Sequence, residues 1–157
     1  MAMRLSEALT AETIIVEARW ATFEDTVTGL VERLVSCGRL PRELATTAVQ
    51  RIREREAMAS TAMVDVGVSI PHARLDGIHG HVAAAIAVSP TQVYEVADGL
   101  PISIVALVLS SPEFTGEHLN FLSALSMLLQ SARIRERLRK ASSAQEAMEV
   151  IRSNEGR

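Results

Sequence analysis

The chain has 157 residues, 48% of them hydrophobic and 22% charged, which fits one domain with a buried core and excludes the disordered class. The formal net charge of −3 offers no general attraction to nucleic-acid backbones, and the 3% aromatic content argues against a base-stacking platform. Basic residues do cluster at 133–140, which we interpret as a solvated helix face rather than a nucleic-acid patch. We therefore expect no nucleic-acid partner.

The cysteine count and the apolar runs bear on the compartment. Cys37 is the single cysteine of the chain, so an internal disulfide is excluded, as is common in a reducing compartment. The sequence has no signal-peptide apolar core and no run of eighteen apolar residues. We expect a cytoplasmic protein that does not insert into a membrane.

Hydrophobic spacing predicts a strand and two helices in the first third of the chain. The run Thr-Ile-Ile-Val at 13–16 is typical of a strand. Thr22 followed by Asp25 forms an approximate capping box, opening a helix that Gly38 ends. Pro41 suits the first turn of a second helix, which carries an apolar stripe and runs to about Glu56.

The middle of the chain changes to an extended pattern. Two short strands are predicted within 61–70, around a turn at 65–67. The apolar runs at 82–88 and 102–109 are nearly continuous and rich in β-branched residues. Such runs indicate strands that are buried on both faces.

The last third is predicted to be helical again. Thr115 is expected to cap a leucine-rich helix, a short basic helix spans about 132–140, and Ser143 with Glu146 opens a final helix. Strands that are buried on both faces need helices on both sides. We therefore predict an α/β fold with three layers (α/β/α), a small mixed sheet flanked by about five helices, in a single domain over 1–157.

The segment at 67–78, Gly-Val-Ser-Ile-Pro-His-Ala-Arg-Leu-Asp-Gly-Ile, places His72 directly after a proline. Pro71 has no N–H to donate to a ladder, so we predict that it ends the strand and displays His72 at the strand end. Histidine is the side chain that can act as a neutral nucleophile or base near pH 7. His72 is therefore a candidate for chemistry, the alternative being a histidine with a satisfied backbone hydrogen bond.

Two further residues extend this candidate into an anion site. His118 lies in the first turn of the predicted helix at 115, where an imidazole and free backbone N–H groups favour an anion. Arg55, at the end of the second helix, offers a fixed positive charge. The alternatives are a plain helix-start histidine and a solvated arginine. A shared phosphate requires the two imidazoles to lie within about 10 Å of each other.

In these residues the chain resembles the enzyme IIA domain of the fructose/mannitol class, which belongs to the bacterial phosphoenolpyruvate-dependent phosphotransferase system and includes a nitrogen-regulatory branch. The resemblance covers about residues 5–152. The segments that carry it are Arg-Glu-Ala-Met-Ala-Ser-Thr at 55–61, Gly-Val-Ser-Ile-Pro-His-Ala at 67–73, Asp98-Gly99 before the strand at 102–109, and Glu117-His118-Leu119. The turn at 62–67 departs from the family, since it is one residue longer and poorer in glycine. Asp65 within it would repel a phosphoryl group unless its carboxylate points away or binds a hydrogen-bond donor.

The resemblance implies a phosphoryl relay and its partners. His72 would carry the phosphate, His118 would hydrogen-bond it, and Arg55 would help to balance its charge. The donor would be a histidine-containing phosphocarrier protein. The acceptor would be a IIB protein or domain on a sugar route, or the phosphate would control binding to a regulatory target protein. No cofactor or metal is implied, and no Gly-x-x-x-x-Gly-Lys-Ser/Thr loop for a nucleotide occurs.

A metal-dependent hydrolase is the remaining alternative. His79 and His81 would share a face of a strand, and either His72 or Asp65 would have to join them. Zinc needs three or four converging ligands, so a His-x-His pair by itself is a weak pattern.

Overall fold

The computed structural model describes residues 4–78, 80–96 and 99–155. Within these residues the chain forms five α-helices, namely α1 (Phe23–Ser36), α2 (Ala45–Met58), α3 (Thr115–Leu129), α4 (Ala132–Arg139) and α5 (Ala144–Asn154). It also forms eight strands: β1 (Ile14–Ile15), β2 (Ala62–Met63), β3 (Val68–Ser69), β4 (His72–Arg74), β5 (Val82–Val88), β6 (Tyr94–Glu95), β7 (Pro101–Ile102) and β8 (Ile104–Ser110). Short 3₁₀ helices lie at Leu5–Glu7, Ala11–Thr13 and Arg42–Leu44.

The main sheet is mixed and is built around β5 and β8. Its strand order is β1–β5–β8–β3–β2, and β4 pairs with β8 on the same side as β3. The pairs β1·β5, β3·β8 and β4·β8 are parallel, whereas β5·β8 and β2·β3 are antiparallel. Every residue of β5 and β8 is buried, as their continuous apolar sequences predicted.

Helices cover both faces of this sheet. Alternate residues of a strand point to opposite faces, so β8 contributes Val108 to one core and Leu107 to the other. The core around Val108 includes Phe121 of α3 and apolar residues of α4 and α5, and the core around Leu107 includes Leu30 of α1 and Ile52 of α2. The predicted α/β/α layering with a mixed sheet and five helices is confirmed.

Pro71 lies in the two-residue gap between β3, which ends at Ser69, and β4, which begins at His72. Val68 stands opposite Ile104 and His72 opposite Val108, so β3 and β4 keep one register along β8. The carbonyl of Pro71 accepts a hydrogen bond from the Val108 N–H at 3.0 Å. Strand β3 therefore ends just before Pro71, in agreement with the prediction, but pairing with β8 resumes at His72, because a proline at a sheet edge loses only its donor. His72 therefore begins β4 and is half-buried rather than displayed.

The helix starts show one correct prediction and one error. Thr22 caps α1, where its hydroxyl accepts from the Asp25 N–H at 3.0 Å. Thr115 does not cap α3: it is the first helical residue, and Phe114 takes the capping position without a side-chain bond. The Thr115 hydroxyl instead accepts a hydrogen bond from Arg74 of β4 at 3.0 Å. The Thr115 side chain therefore makes a tertiary contact instead of the helix cap that the local sequence predicted.

Candidate functional site

His72 and His118 meet on one face of the sheet. The centroids of their rings lie 5.8 Å apart, and the ring planes are inclined at 53°. Strand β4 supplies His72, and α3, which covers the Val108 face, supplies His118. This separation is short enough for both rings to contact one phosphate-sized anion.

A backbone carbonyl determines which ring nitrogen of neutral His72 carries the proton. The Nδ1 atom lies 2.9 Å from the carbonyl oxygen of Ile70. A carbonyl oxygen only accepts hydrogen bonds, so Nδ1 donates and carries the proton. In the neutral ring the lone pair then resides on Nε2. The local backbone therefore leaves Nε2 as the ring nitrogen of neutral His72 that carries a lone pair.

His118 is held in a very different environment. It is only 5% exposed, and its Nδ1 contacts the hydroxyl of Ser110, a fully buried residue at the end of β8. Burial, followed by the positive charge of Arg74 and the neighbouring His72, lowers the pKa of His118 to about 4. His118 is therefore neutral near pH 7. Its Nε2 is the ring nitrogen left for a ligand.

Arg74 contacts this site although the sequence analysis did not select it. It lies two residues after His72 on β4, so both side chains point to the same face. Its Nη2 donates to the carbonyls of Ser111 at 3.2 Å and Pro112 at 3.0 Å, and to the Thr115 hydroxyl at 3.0 Å. The two-residue periodicity of a strand was a signal that would have identified it.

Ser110 was also missed, and its sequence offered no comparable signal. It is the last residue of a long apolar strand and lies eight positions before His118. Only the packing of α3 against β8 brings the hydroxyl to the imidazole. A serine at the end of a buried strand has many ordinary roles, so the pairing depends on tertiary structure.

Arg55 lies at the end of α2 and makes a local contact. Its Nη1 donates to the carbonyl of Ala59 at 3.0 Å, which satisfies the C-terminal end of the helix. Helix α2 packs through Ile52 on the face of the sheet opposite to the two histidines. The role of Arg55 in balancing a phosphoryl charge stays a prediction.

The rest of the segment at 55–61 forms a hydrogen-bonded unit. The Glu56 carboxylate accepts from the Thr61 N–H at 2.7 Å, from the Thr61 hydroxyl at 2.8 Å and from the Ser60 hydroxyl at 3.1 Å. These bonds connect the end of α2 to the start of β2. The unit therefore fixes how the chain enters the β2–β3 hairpin that leads to His72.

The structure describes the surroundings of two other residues that were named from the sequence, Asp65 and His81. Asp65 is exposed in the turn before β3, whereas His72 follows the far end of that strand. His81 stacks on Phe114 with ring centroids 3.7 Å apart. His79 and Asp98 lie outside the described residues. Among residues 4–78, 80–96 and 99–155, no group of three or more His, Cys, Asp or Glu side chains is arranged to hold a metal ion.

None of the helices in the described part of the chain has both the length and the apolar character needed to cross a membrane.

Comparison with known sequences gives consistent matches. Residues 7–154 match the family model described as "Phosphoenolpyruvate-dependent sugar phosphotransferase system, EIIA 2". A nitrogen regulatory protein of Pseudomonas aeruginosa is 30% identical over 112 residues, which are 71% of this chain and 72% of that protein. A fructose-specific EIIA component of Haloferax volcanii is 31% identical over 140 residues, 89% of each chain.

Solved structures agree with these matches. The nitrogen regulatory protein IIA-Ntr of Neisseria meningitidis superposes with a TM-score of 0.76 at 26% identity, over 94% of this chain and 98% of that one. The mannitol enzyme IIA of Escherichia coli, in its complex with phosphorylated enzyme IIB, shares the fold with a TM-score of 0.72 at 22% identity, over 93% and 98% of the two chains. With its sequence and its fold both matched over nearly the whole length, this chain belongs to the EIIA 2 family of the phosphoenolpyruvate-dependent sugar phosphotransferase system.

Proposed function

We propose that this protein is a cytoplasmic phosphocarrier in which His72 accepts a phosphoryl group from a histidine-containing phosphocarrier protein and passes it to a IIB component. The observation that carries the proposal is the state of His72, whose Nδ1 is engaged by Ile70 while its ring faces His118 at 5.8 Å. This arrangement leaves one nucleophilic nitrogen beside one polar, neutral neighbour. Membership in the EIIA 2 family supports the same assignment.

The transfer needs no cofactor and no general base. The lone pair of His72 Nε2 attacks the phosphorus of the donor, forming an Nε2–P bond as the donor's N–P bond breaks. The electron pair of the broken bond returns to the ring nitrogen of the donor. The Nδ1 proton stays in its bond to the Ile70 carbonyl. Transfer to the IIB component is the same displacement with His72 as the leaving group.

The surroundings of His72 suit a phosphoryl group that comes and goes. The phosphoryl group brings a charge of about −2. Neutral His118 can donate a hydrogen bond to it from Nε2. After gaining a proton, His118 can also balance part of its charge as a cation. The Ser110 hydroxyl serves His118 in either state, because a hydroxyl both donates and accepts. The N-terminal turn of α3 adds backbone N–H groups at the same place.

Phosphorylation with purified components tests this function. Incubation with enzyme I, the histidine phosphocarrier protein and phosphoenolpyruvate should place one acid-labile phosphate on the protein. His72→Ala should remove the label, whereas His81→Ala, which alters an exposed histidine stacked on Phe114, should retain it. Undiminished labelling of His72→Ala would refute the assignment. A IIB partner is supported by the complex solved for the mannitol enzyme IIA.

The match to nitrogen regulatory proteins favours a second use of the same chemistry, in which phosphorylation controls binding to a target protein. A phosphate changes the charge at His72 by about −2, enough to reverse binding at a small interface. Affinity capture with His72→Ala and with the phosphate mimic His72→Asp should then recover different partners. Identical partner sets would count against regulation, and transfer to a purified IIB protein would favour the sugar route.

A further inference from the structure

Arg74 joins the strand that carries His72 to the start of the helix that carries His118. Its three hydrogen bonds, all between 3.0 and 3.2 Å, reach two carbonyls of the loop after β8 and the hydroxyl of Thr115. That loop connects β8 directly to α3. One side chain therefore fixes the position at which α3 begins relative to β4.

The contacts of Arg74 and His72 form two parallel connections between β4 and α3. His72 and Arg74 are two residues apart, about 6.6 Å along a strand, and point to the same face. Thr115 and His118 are three residues apart, about 4.5 Å along a helix, and lie on one side of it. Arg74 contacts Thr115 while His72 faces His118. The contact between Arg74 and Thr115 therefore sets the distance between the rings of His72 and His118.

The hydrogen-bond partners described for the Arg74 guanidinium are neutral oxygens, so they do not cancel its positive charge. All three of these bonds come from Nη2, and the buried Nε has no hydrogen-bond partner in the part of the chain that the structure describes. Within residues 4–78, 80–96 and 99–155, the ion pairs found do not include Arg74. The positive charge of Arg74 acts on the ring of His118, because it contributes to the lowered pKa of that histidine.

We propose that Arg74 is a positioning residue of the phosphohistidine site, which holds the start of α3 against β4 so that His118 meets His72, and whose charge offsets that of the phosphoryl group. This inference rests on the proposed phosphorylation of His72 and adds a residue to it. This role differs from a purely structural one, in which Arg74 would stabilise the loop after β8 without affecting the chemistry of His72 and His118.

Arg74→Met and Arg74→Lys test the inference, with Arg39→Met as the matched control. Arg39 is also half-buried and also donates to a backbone carbonyl, that of Ala8 at 3.2 Å, but it lies on the loop after α1. We expect Arg74→Met to accept phosphate from the donor protein at least tenfold more slowly than wild type. Arg74→Lys, which keeps the charge and loses the planar fork, should be intermediate, and Arg39→Met should match wild type.

A second readout does not depend on phosphorylation. Titration of the histidines by NMR in the unphosphorylated protein should show the pKa of His118 moving upward in Arg74→Met and staying in place in Arg39→Met. If wild type accepts no phosphate, the proposed function fails, while this titration still tests the influence of Arg74 on His118. If wild type is phosphorylated and folded Arg74→Met keeps both its rate and the His118 pKa, the inference is overturned.

The lysine variant decides the case in which Arg74→Met does not fold. A folded Arg74→Lys with a slowed rate and an unchanged circular dichroism spectrum supports the positioning role. A folded Arg74→Lys with the wild-type rate and the wild-type phosphohistidine lifetime overturns it, because the geometry of the guanidinium would then be irrelevant.

Discussion

Ser110→Ala removes the hydroxyl that contacts Nδ1 of His118. Ser110 is fully buried and His118 is 5% exposed, so water does not readily replace the lost partner. A buried polar atom left without a partner costs about 1–3 kcal/mol. We expect a loss of about 2 kcal/mol in the free energy of unfolding, a large part of the roughly 5–15 kcal/mol available to an ordinary domain.

Urea unfolding measures this loss directly. The midpoint should fall while the slope with denaturant stays the same, because the substitution changes stability and not the surface exposed on unfolding. Ser103→Ala is the matched control, since Ser103 is also buried but its hydroxyl reaches the Gly67 carbonyl only at 3.4 Å. The control should lose less than about 1 kcal/mol, in line with a weak hydrogen bond.

The same variant should also slow the proposed phosphorylation of His72, because the ring of His118 loses the hydroxyl that holds it in place beside His72. The rate at which the donor protein transfers phosphate to each serine variant measures this effect. A stability loss no greater than that of Ser103→Ala, together with an unchanged rate of phosphorylation, would refute the reasoning. The hydroxyl contact would then carry neither stability nor orientation.

Two further predictions concern pH and packing. Because the folded-state pKa of His118 is about 4 and its ordinary value is 6.5, the unfolded chain binds the proton more readily, so stability should fall as pH drops from 6.5 through 4. Urea titrations should show that His118→Gln loses less stability than wild type over that pH range. Equal losses in the two proteins would show that His118 is not the source of the pH dependence. A Cβ at Gly29 would overlap the ring of Trp20, so Gly29→Ala should cost about 1–3 kcal/mol and shift the emission of the chain's one tryptophan. Gly116→Ala, which meets no atom within 4 Å, should leave both stability and emission nearly unchanged, and a loss equal to that of Gly29→Ala would contradict the packing argument.

Most of the secondary structure followed from local pattern. The apolar runs at 82–88 and 102–109 predicted the two central strands because a short, continuous apolar run is typical of a strand that is covered on both faces. Thr22 identified the start of α1 because a cap acts within one turn. Strand β3 ends just before Pro71 as predicted, but the strand that resumes at His72 was not predicted, because it depends on β8, whose Val108 N–H donates to the Pro71 carbonyl. Thr115 was misread because Arg74 engages its hydroxyl.

Part of the candidate site could likewise be predicted from local sequence, and part could not. His72 and His118 were identified from their positions next to a proline and a helix start, together with the family pattern around them. The sequence alone thus determined the fold class and the two imidazoles, because periodicity and motif spacing are properties of neighbouring residues. Tertiary structure alone decided which nitrogen of His72 is free, which hydroxyl holds His118, and that Arg74 joins β4 to α3. Those features depend on side-chain directions across the β4–α3 and β8–α3 interfaces, which exist only once the helix packs on the sheet.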